Sequence, residues 1–210
     1  MKIPSRFLPI TVMILAPAVV HLMPYVLGAL KLQDVTDAAT FLRTYTPIHA
    51  IILFGGAQFA ERRWAYLCPL ATMLLSDLGI GLLRGDMSQG FHAMTPVMYG
   101  SYALMVWLGT LLRERRSALR ISGAAFAAEL SFFLITNFAT WVVQTDTYPH
   151  TWAGLAACFA MGVPHLRKLS ISMAFFGFAL FGGVAFLERR FAAAKPAPAT
   201  IQASNQPLPG

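Results

Sequence analysis

Of 210 residues, 57% are hydrophobic and 12% charged, roughly half the charged share of a soluble globular domain, which excludes an ordinary water-soluble fold. At about 20 apolar residues per crossing, the length admits one helical bundle and no second large domain. The net charge of +7, from 16 Lys and Arg against 9 Asp and Glu, falls in clusters between apolar runs. It therefore reads as a topology signal and not as a nucleic-acid surface, which would set a basic stripe among stacking aromatics.

The first stretch, with Lys2, Arg6 and then Ala16-Pro17-Ala18, imitates a signal peptide, but its apolar character continues to Leu30, too far for a cleavable segment. Residues 7–30 are predicted as span one, with Pro9, Pro17 and Pro24 accommodated as kinks. A polar segment, 31–46, carries Asp34, Asp37 and Arg43. Span two, 47–60, is short for a crossing and ends at Glu61-Arg62-Arg63. Span three, 64–83, contains Asp77, and the loop 84–94 carries Gly85, Asp86, Gly90 and His92. Span four, 95–112, ends in Arg113-Glu114-Arg115-Arg116, and span five, 121–143, contains Glu129 and Asn137.

After a polar turn, 144–151, comes an apolar stretch, 152–163, closed by Pro164. At 12 residues it is below spanning length and is predicted as a short interfacial or re-entrant helix. Span six, 169–187, precedes Glu188-Arg189-Arg190. The expected fold is thus an all-α, polytopic transmembrane bundle of about six spans over residues 1–190. A tail, 191–210, rich in Ala, Pro, Ser and Gln, is predicted to be disordered.

With six spans and both termini inside, eleven of the sixteen Lys and Arg lie on the cytoplasmic side. If 152–163 also crossed, the split would be ten against six, so charge barely discriminates and segment length favours six. Neither a solenoid repeat nor an inverted repeat is visible. Gly55-Gly56, Gly177 and Gly182-Gly183 supply small residues for close helix packing.

An ionisable residue at membrane depth is costly and normally faces the bundle interior with a partner. Asp77 lies roughly 20 Å from the start of span three, and Arg84 follows two turns later on the same face. On span five, Glu129, Phe133, Asn137 and Trp141 recur every four residues; just beyond stand Tyr148, His150, Thr151 and Trp152. Asp77, Arg84, Asn137, Trp141, Tyr148 and His150 are therefore the candidate ligand-binding residues of an outward-facing pocket. The alternative is that these groups hold spans together, Asp77 through Arg84 or Arg43 and Asn137 through interhelical hydrogen bonds. For Glu129 a structural partner such as Arg120 or Arg62 is the favoured reading.

No catalytic residue is assigned. The five histidines show no His-x-x-x-His spacing, and neither Cys68 nor Cys158 has a Cys or His three or four residues away, so no metal site and no cofactor are expected. The two cysteines are too few for a disulfide framework and read as packing residues. A phosphate-binding loop, a Gly-x-Ser-x-Gly elbow and a Ser-x-x-Lys motif are absent, so the chain does not energise transport with its own nucleotide site.

Several stretches together resemble the bacterial membrane proteins called domain of unknown function 6580. The matching residues are Thr46-Pro47 through Leu53-Phe54-Gly55-Gly56-Ala57, Pro69-Leu70-Ala71 with Ser76-Asp77-Leu78-Gly79, and Tyr99 and Tyr102 before Gly109. Further matches are Phe132-Phe133 with Thr136-Asn137-Phe138 and Trp141, and Tyr148-Pro149-His150-Thr151 with Gly154-Leu155 and Cys158. The chain departs from that pattern at His165-Leu166-Arg167-Lys168 and Ser170-Ile171-Ser172. The resemblance implies a bacterial inner-membrane protein and supplies no activity.

The six-span layout is similar to the substrate-binding subunits of energy-coupling-factor transporters, which capture vitamins outside and pass them to an ATPase module. That similarity implies an outer-face small-molecule site and an energising ATPase as partner. The Ala-x-x-x-Ala docking motif is missing, since Val20 and Leu22 follow Ala16 and Ala18 by four residues. The expected function is binding or import of a vitamin-like molecule, with a membrane-embedded enzyme acting on a lipid-linked substrate, or a scaffold without ligand, as the alternatives.

Overall fold

The computed structural model describes residues 19, 22, 23, 25–28, 30, 45–59 and 61–193. Among them lie five α-helices, one 3-10 turn and no strand: α1 (Ile48–Gln58), α2 (Arg62–Arg84), the turn Met87–Gln89, α3 (Thr95–Thr110), α4 (Ala118–Val143) and α5 (Trp152–Ala193). The all-helical class follows from the composition, as expected. Within the proposed first span, residues 19, 22, 23 and 25–28 are helical. The rest of that span, segment 31–44 and the tail beyond 193 lie outside the described residues.

The bundle is organised around its shortest helix. Pro47 precedes α1 with φ −76°, the value its ring imposes, and begins a run in which nine of eleven residues are buried. A helix apolar on every side has no solvent face and is surrounded; α1 packs against α2, α3, α4 and α5. At 1.5 Å per residue it is only about 16 Å long, and its first turn lies inside the assembly, with Ile48, His49 and Ala50 buried. Its last carbonyls are not orphaned: Arg113 Nε donates to the Gly56 carbonyl at 3.0 Å and Arg116 to the Ala57 carbonyl at 2.8 Å. Cations at a helix C-terminus also oppose the negative end of its dipole.

Side by side, α1 and α3 approach as closely as backbones allow. A Cβ on Gly56 would collide with the Val106 carbonyl, and one on Gly109 with the Leu53 carbonyl, while the two glycines face each other. Fully buried Ile52, Leu53, Met105 and Val106 fill the space on either side of that crossing.

Helix α2 carries Pro69 internally and routes two hydroxyls back along its own axis, Thr72 to the Cys68 carbonyl and Ser76 to the Thr72 carbonyl, both at 2.9 Å. It stops at Gly85, whose φ of 66° is the left-handed cap that a side chain would resist. The loop then folds back onto the helix, because Gly81 leaves room for Met87 and Gly90 lies against the Asp77 backbone. Asp86 caps the 3-10 turn, and hydrogen bonds from the Ser88 hydroxyl and backbone N–H hold its carboxyl below the usual carboxylate range.

One sequence expectation is corrected in the last third. The 152–163 stretch is not a separate interfacial or re-entrant helix; it forms the first turns of α5, which runs unbroken through Pro164 to Ala193. Proline deletes one backbone hydrogen bond, but contacts to α4 hold the turns just before it: Phe159 meets Phe133 edge-to-face, and the Cys158 thiol donates to the Asn137 carbonyl at 3.3 Å. Both cysteines are free and buried.

Arg62–Arg84, Ala118–Val143 and Trp152–Phe186 are each long and apolar enough to cross a membrane. Large apolar side chains such as Leu74, Leu78, Leu134, Phe138 and Phe175 are exposed on the outside of the bundle, as lipid-facing residues are.

Replacing either touching glycine is expected to separate α1 from α3. Gly56→Val or Gly109→Val should lower stability by about 1–3 kcal/mol or more, read as a drop in thermal melting in detergent. Gly177→Ala, where an added Cβ meets nothing within 4 Å, should leave melting unchanged.

Candidate functional site

The turn after α2, together with α3, encloses a cavity of about 200 Å³ lined by Tyr25, Met73, Asp77, Gln89, His92, Thr95, Tyr99 and Tyr102, among others. Asp77 is half-buried in its wall, and the Tyr99 hydroxyl donates to its Oδ2 at 2.7 Å. The site is built by folds already described: Gly90 seats the loop on the Asp77 turn, and Thr95 accepts from the His92 N–H at 2.9 Å, which fixes the loop's return into α3.

Tyr102, fully inside the bundle, connects this cavity to a second group of polar residues. Its ring stacks on Phe132 with centroids 5.7 Å apart, and His49 packs edge-on to both, at 5.8 Å from Tyr102 and 4.5 Å from Phe132. The His49 Nδ1 lies 3.0 Å and 3.1 Å from the two carboxylate oxygens of Glu129, and both side chains are buried. Glu129 stands about 16 Å from the start of α4 and about 21 Å from its end, so the pair is at mid-bundle.

The partner expected for Glu129, Arg120 or Arg62, is thus replaced by His49. Those arginines start α2 and α4, more than two turns from Glu129 depth, whereas His49 enters at the first turn of a helix that begins in the interior. A histidine alone in an apolar run was the available signal, since a buried imidazole calls for a hydrogen-bonding partner.

Below the pair, α4 and α5 diverge around a larger groove of about 630 Å³. Glu129 is at its deep end and Arg189 at its mouth, with Ser122, Phe126, Gly177, Phe178 and Gly182 between them.

The six residues singled out in the sequence separate into two places. Asp77 lines the small cavity. Arg84 does not pair with it: its guanidinium lies over the Tyr25 ring, 5.5 Å from the centroid, while Asp77 turns to Tyr99 on α3. Two helical turns put Asp77 and Arg84 on one face but about 10 Å apart along the axis.

Asn137, Trp141, Tyr148 and His150 belong to the α4–α5 junction and do not line the Asp77 cavity. Asn137 donates to the Phe133 carbonyl at 2.8 Å and packs on Gly162 of α5. Trp141 Nε1 donates to the Pro149 carbonyl at 3.0 Å, and the His150 ring sits 4.9 Å from the Trp141 ring, with Nε2 3.2 Å from the Trp141 carbonyl. Tyr148 is half-buried in the same turn, its N–H donating to the Gln144 carbonyl. These contacts close the turn. The residues that the sequence reading did not assign to the cavity, Gln89, His92, Thr95, Tyr99 and Tyr102, come from a loop and a helix start whose folding back depends on Gly81 and Gly90.

Among the described residues, no three His, Cys, Asp or Glu side chains gather as a metal would require. The family model described as "Family of unknown function (DUF6580)" matches residues 1–198, nearly the whole chain, and the protein belongs to that family. No curated protein and no solved structure matches it.

Trp141→Phe should lower stability by about 1 kcal/mol, the net value of one hydrogen bond, read as a drop in thermal melting in detergent.

Proposed function

We propose that this family member is a multi-pass membrane protein that binds a small cationic solute, such as a short amine, in the Asp77 cavity as the first step of import. The observation that carries the reading is the composition of that cavity: one carboxylate, the side chains of Tyr25, Tyr99 and Tyr102, and the hydrogen-bonding side chains of Gln89, His92 and Thr95. A carboxylate among hydrogen-bonding side chains suits a positively charged nitrogen through charge and hydrogen bonding. At about 30 Å³ per water, 200 Å³ holds roughly six waters, so the ligand is smaller than a vitamin.

Basic residues supply the orientation. Arg113 and Arg116 reach the end of α1, and Arg189 stands at the groove mouth on the same side, opposite the Asp86 loop. By the positive-inside rule this distribution supports an arginine-rich end in the cytoplasm of a bacterial inner membrane and an Asp77 cavity on the outer face, in the reading with six spans and both termini cytoplasmic.

The test is thermal melting of the purified protein against a panel of small amines and equally sized neutral and anionic analogues. An amine at a hundred times its dissociation constant should stabilise by about 2.7 kcal/mol. Asp77→Asn should abolish that shift and Tyr99→Phe weaken it. Equal effects of neutral and cationic analogues, or a full shift in Asp77→Asn, would overturn the proposal.

A further inference from the structure

Glu129 stands apart from the other glutamates. Glu61, Glu114 and Glu188 each sit beside arginines in the sequence, at the ends of apolar runs. Glu129 alone is in the middle of one, buried, and its partner is a titratable imidazole and not a permanent cation. A pair built only to clamp helices is better served by an arginine, which stays charged at every physiological pH. Histidine and glutamate can both gain and lose a proton.

The pair also stands between the two cavities. Glu129 forms part of the wall of the α4–α5 groove that runs to Arg189, and His49 packs against Tyr102, whose side chain lines the Asp77 cavity. We propose that His49 and Glu129 are a proton-transfer site linking these two cavities across the middle of the membrane.

The proton balance is closed. With one mobile proton the pair is neutral, whether written as imidazolium and carboxylate or as imidazole and carboxylic acid, and neutrality is the favoured state in an apolar interior. With the carboxylate ionised and the imidazole protonated on Nε2, a proton reaching Glu129 from the groove passes to His49 Nδ1 along the 3.0 Å contact, the imidazole gives up its Nε2 proton to water, and proton exchange of the ring with water restores the starting tautomer before the next transfer. The net charge before and after is the same, and no oxidant or reductant takes part.

Other groups bear on this site from every side. Tyr99 and Tyr102 of α3 and Asp77 of α2 stand on the cavity side. On α5, His165 lies within electrostatic reach of His49, Glu129 and Lys168. The start of α1 lends the positive end of its dipole to the Glu129 carboxylate. Ser172 of α5 donates to the Thr46 carbonyl at 2.6 Å and fixes that helix start against the groove wall.

The inference does not rest on solute binding at Asp77, and its test adds no solute. The protein is reconstituted into vesicles containing a pH-sensitive dye, and proton entry is driven by a potassium diffusion potential set with valinomycin. Wild-type vesicles should acidify faster than protein-free vesicles, and Glu129→Gln should reduce the added flux by about a hundredfold, the scale of a lost acid–base group. His49→Asn keeps a hydrogen-bond donor for Glu129 but carries no proton, so it should fold and fail to conduct. Trp141→Phe, destabilised elsewhere, should conduct as wild type.

If neither variant at the pair folds, infrared difference spectra of the wild type labelled with ¹³C-glutamate decide. A protonated glutamic acid band that changes between about pH 4 and 9 supports the site. Wild-type flux equal to protein-free vesicles, full flux in Glu129→Gln, or no such band would overturn it.

Discussion

A buried helix of eleven residues that begins inside its own bundle imposes most of this architecture. Every backbone group at the ends of α1 must be satisfied without bulk water, because an unpaired one in an apolar interior costs several kcal/mol. One end is met by Arg113 and Arg116, which dictates that the α3–α4 connection be basic and fold under α1. The other end is held by Ser172 through Thr46 and lies beside Glu129 through His49, which draws α4 and α5 against it. The remaining flank is closed by α3, whose Gly109 allows contact at backbone distance. Three helices are therefore placed by the needs of eleven residues.

Helix positions were legible in the sequence because apolar runs, terminal arginines and punctuating glycines are local signals. Thr95 begins α3 and Val143 ends α4 where the pattern indicated, and α1 spans nearly the run that starts at Pro47. The one structural misreading, at Pro164, arose from treating proline as a terminator. In a helix held by Phe133 and Asn137 on one flank, the lost hydrogen bond is a local defect and not an end.

Partnership was much less legible. Residues spaced along one helix, Asp77 with Arg84 or Asn137 with Trp141, could be assigned to faces, but which neighbour each meets depends on how helices are placed around α1. Asp77 finds Tyr99, 22 positions away, and Glu129 finds His49, 80 positions away. A single sequence carries no local signal of such distances. What it did carry was the chemical oddity of each residue: a carboxylate or imidazole within an apolar run marks a position that must be answered from elsewhere.

The crossing of Gly56 and Gly109 has a mechanical meaning as well. Where two backbones touch, no side chain remains to change rotamer, so α1 and α3 are joined stiffly at that crossing, whereas α4 and α5, packed together at Asn137 and Gly162, leave a groove between them towards Arg189. Compliance is thus distributed unevenly through the bundle. The open side of the bundle's centre is therefore the groove side, and the contact between His49 and Glu129 lies where the closely packed α1 meets it.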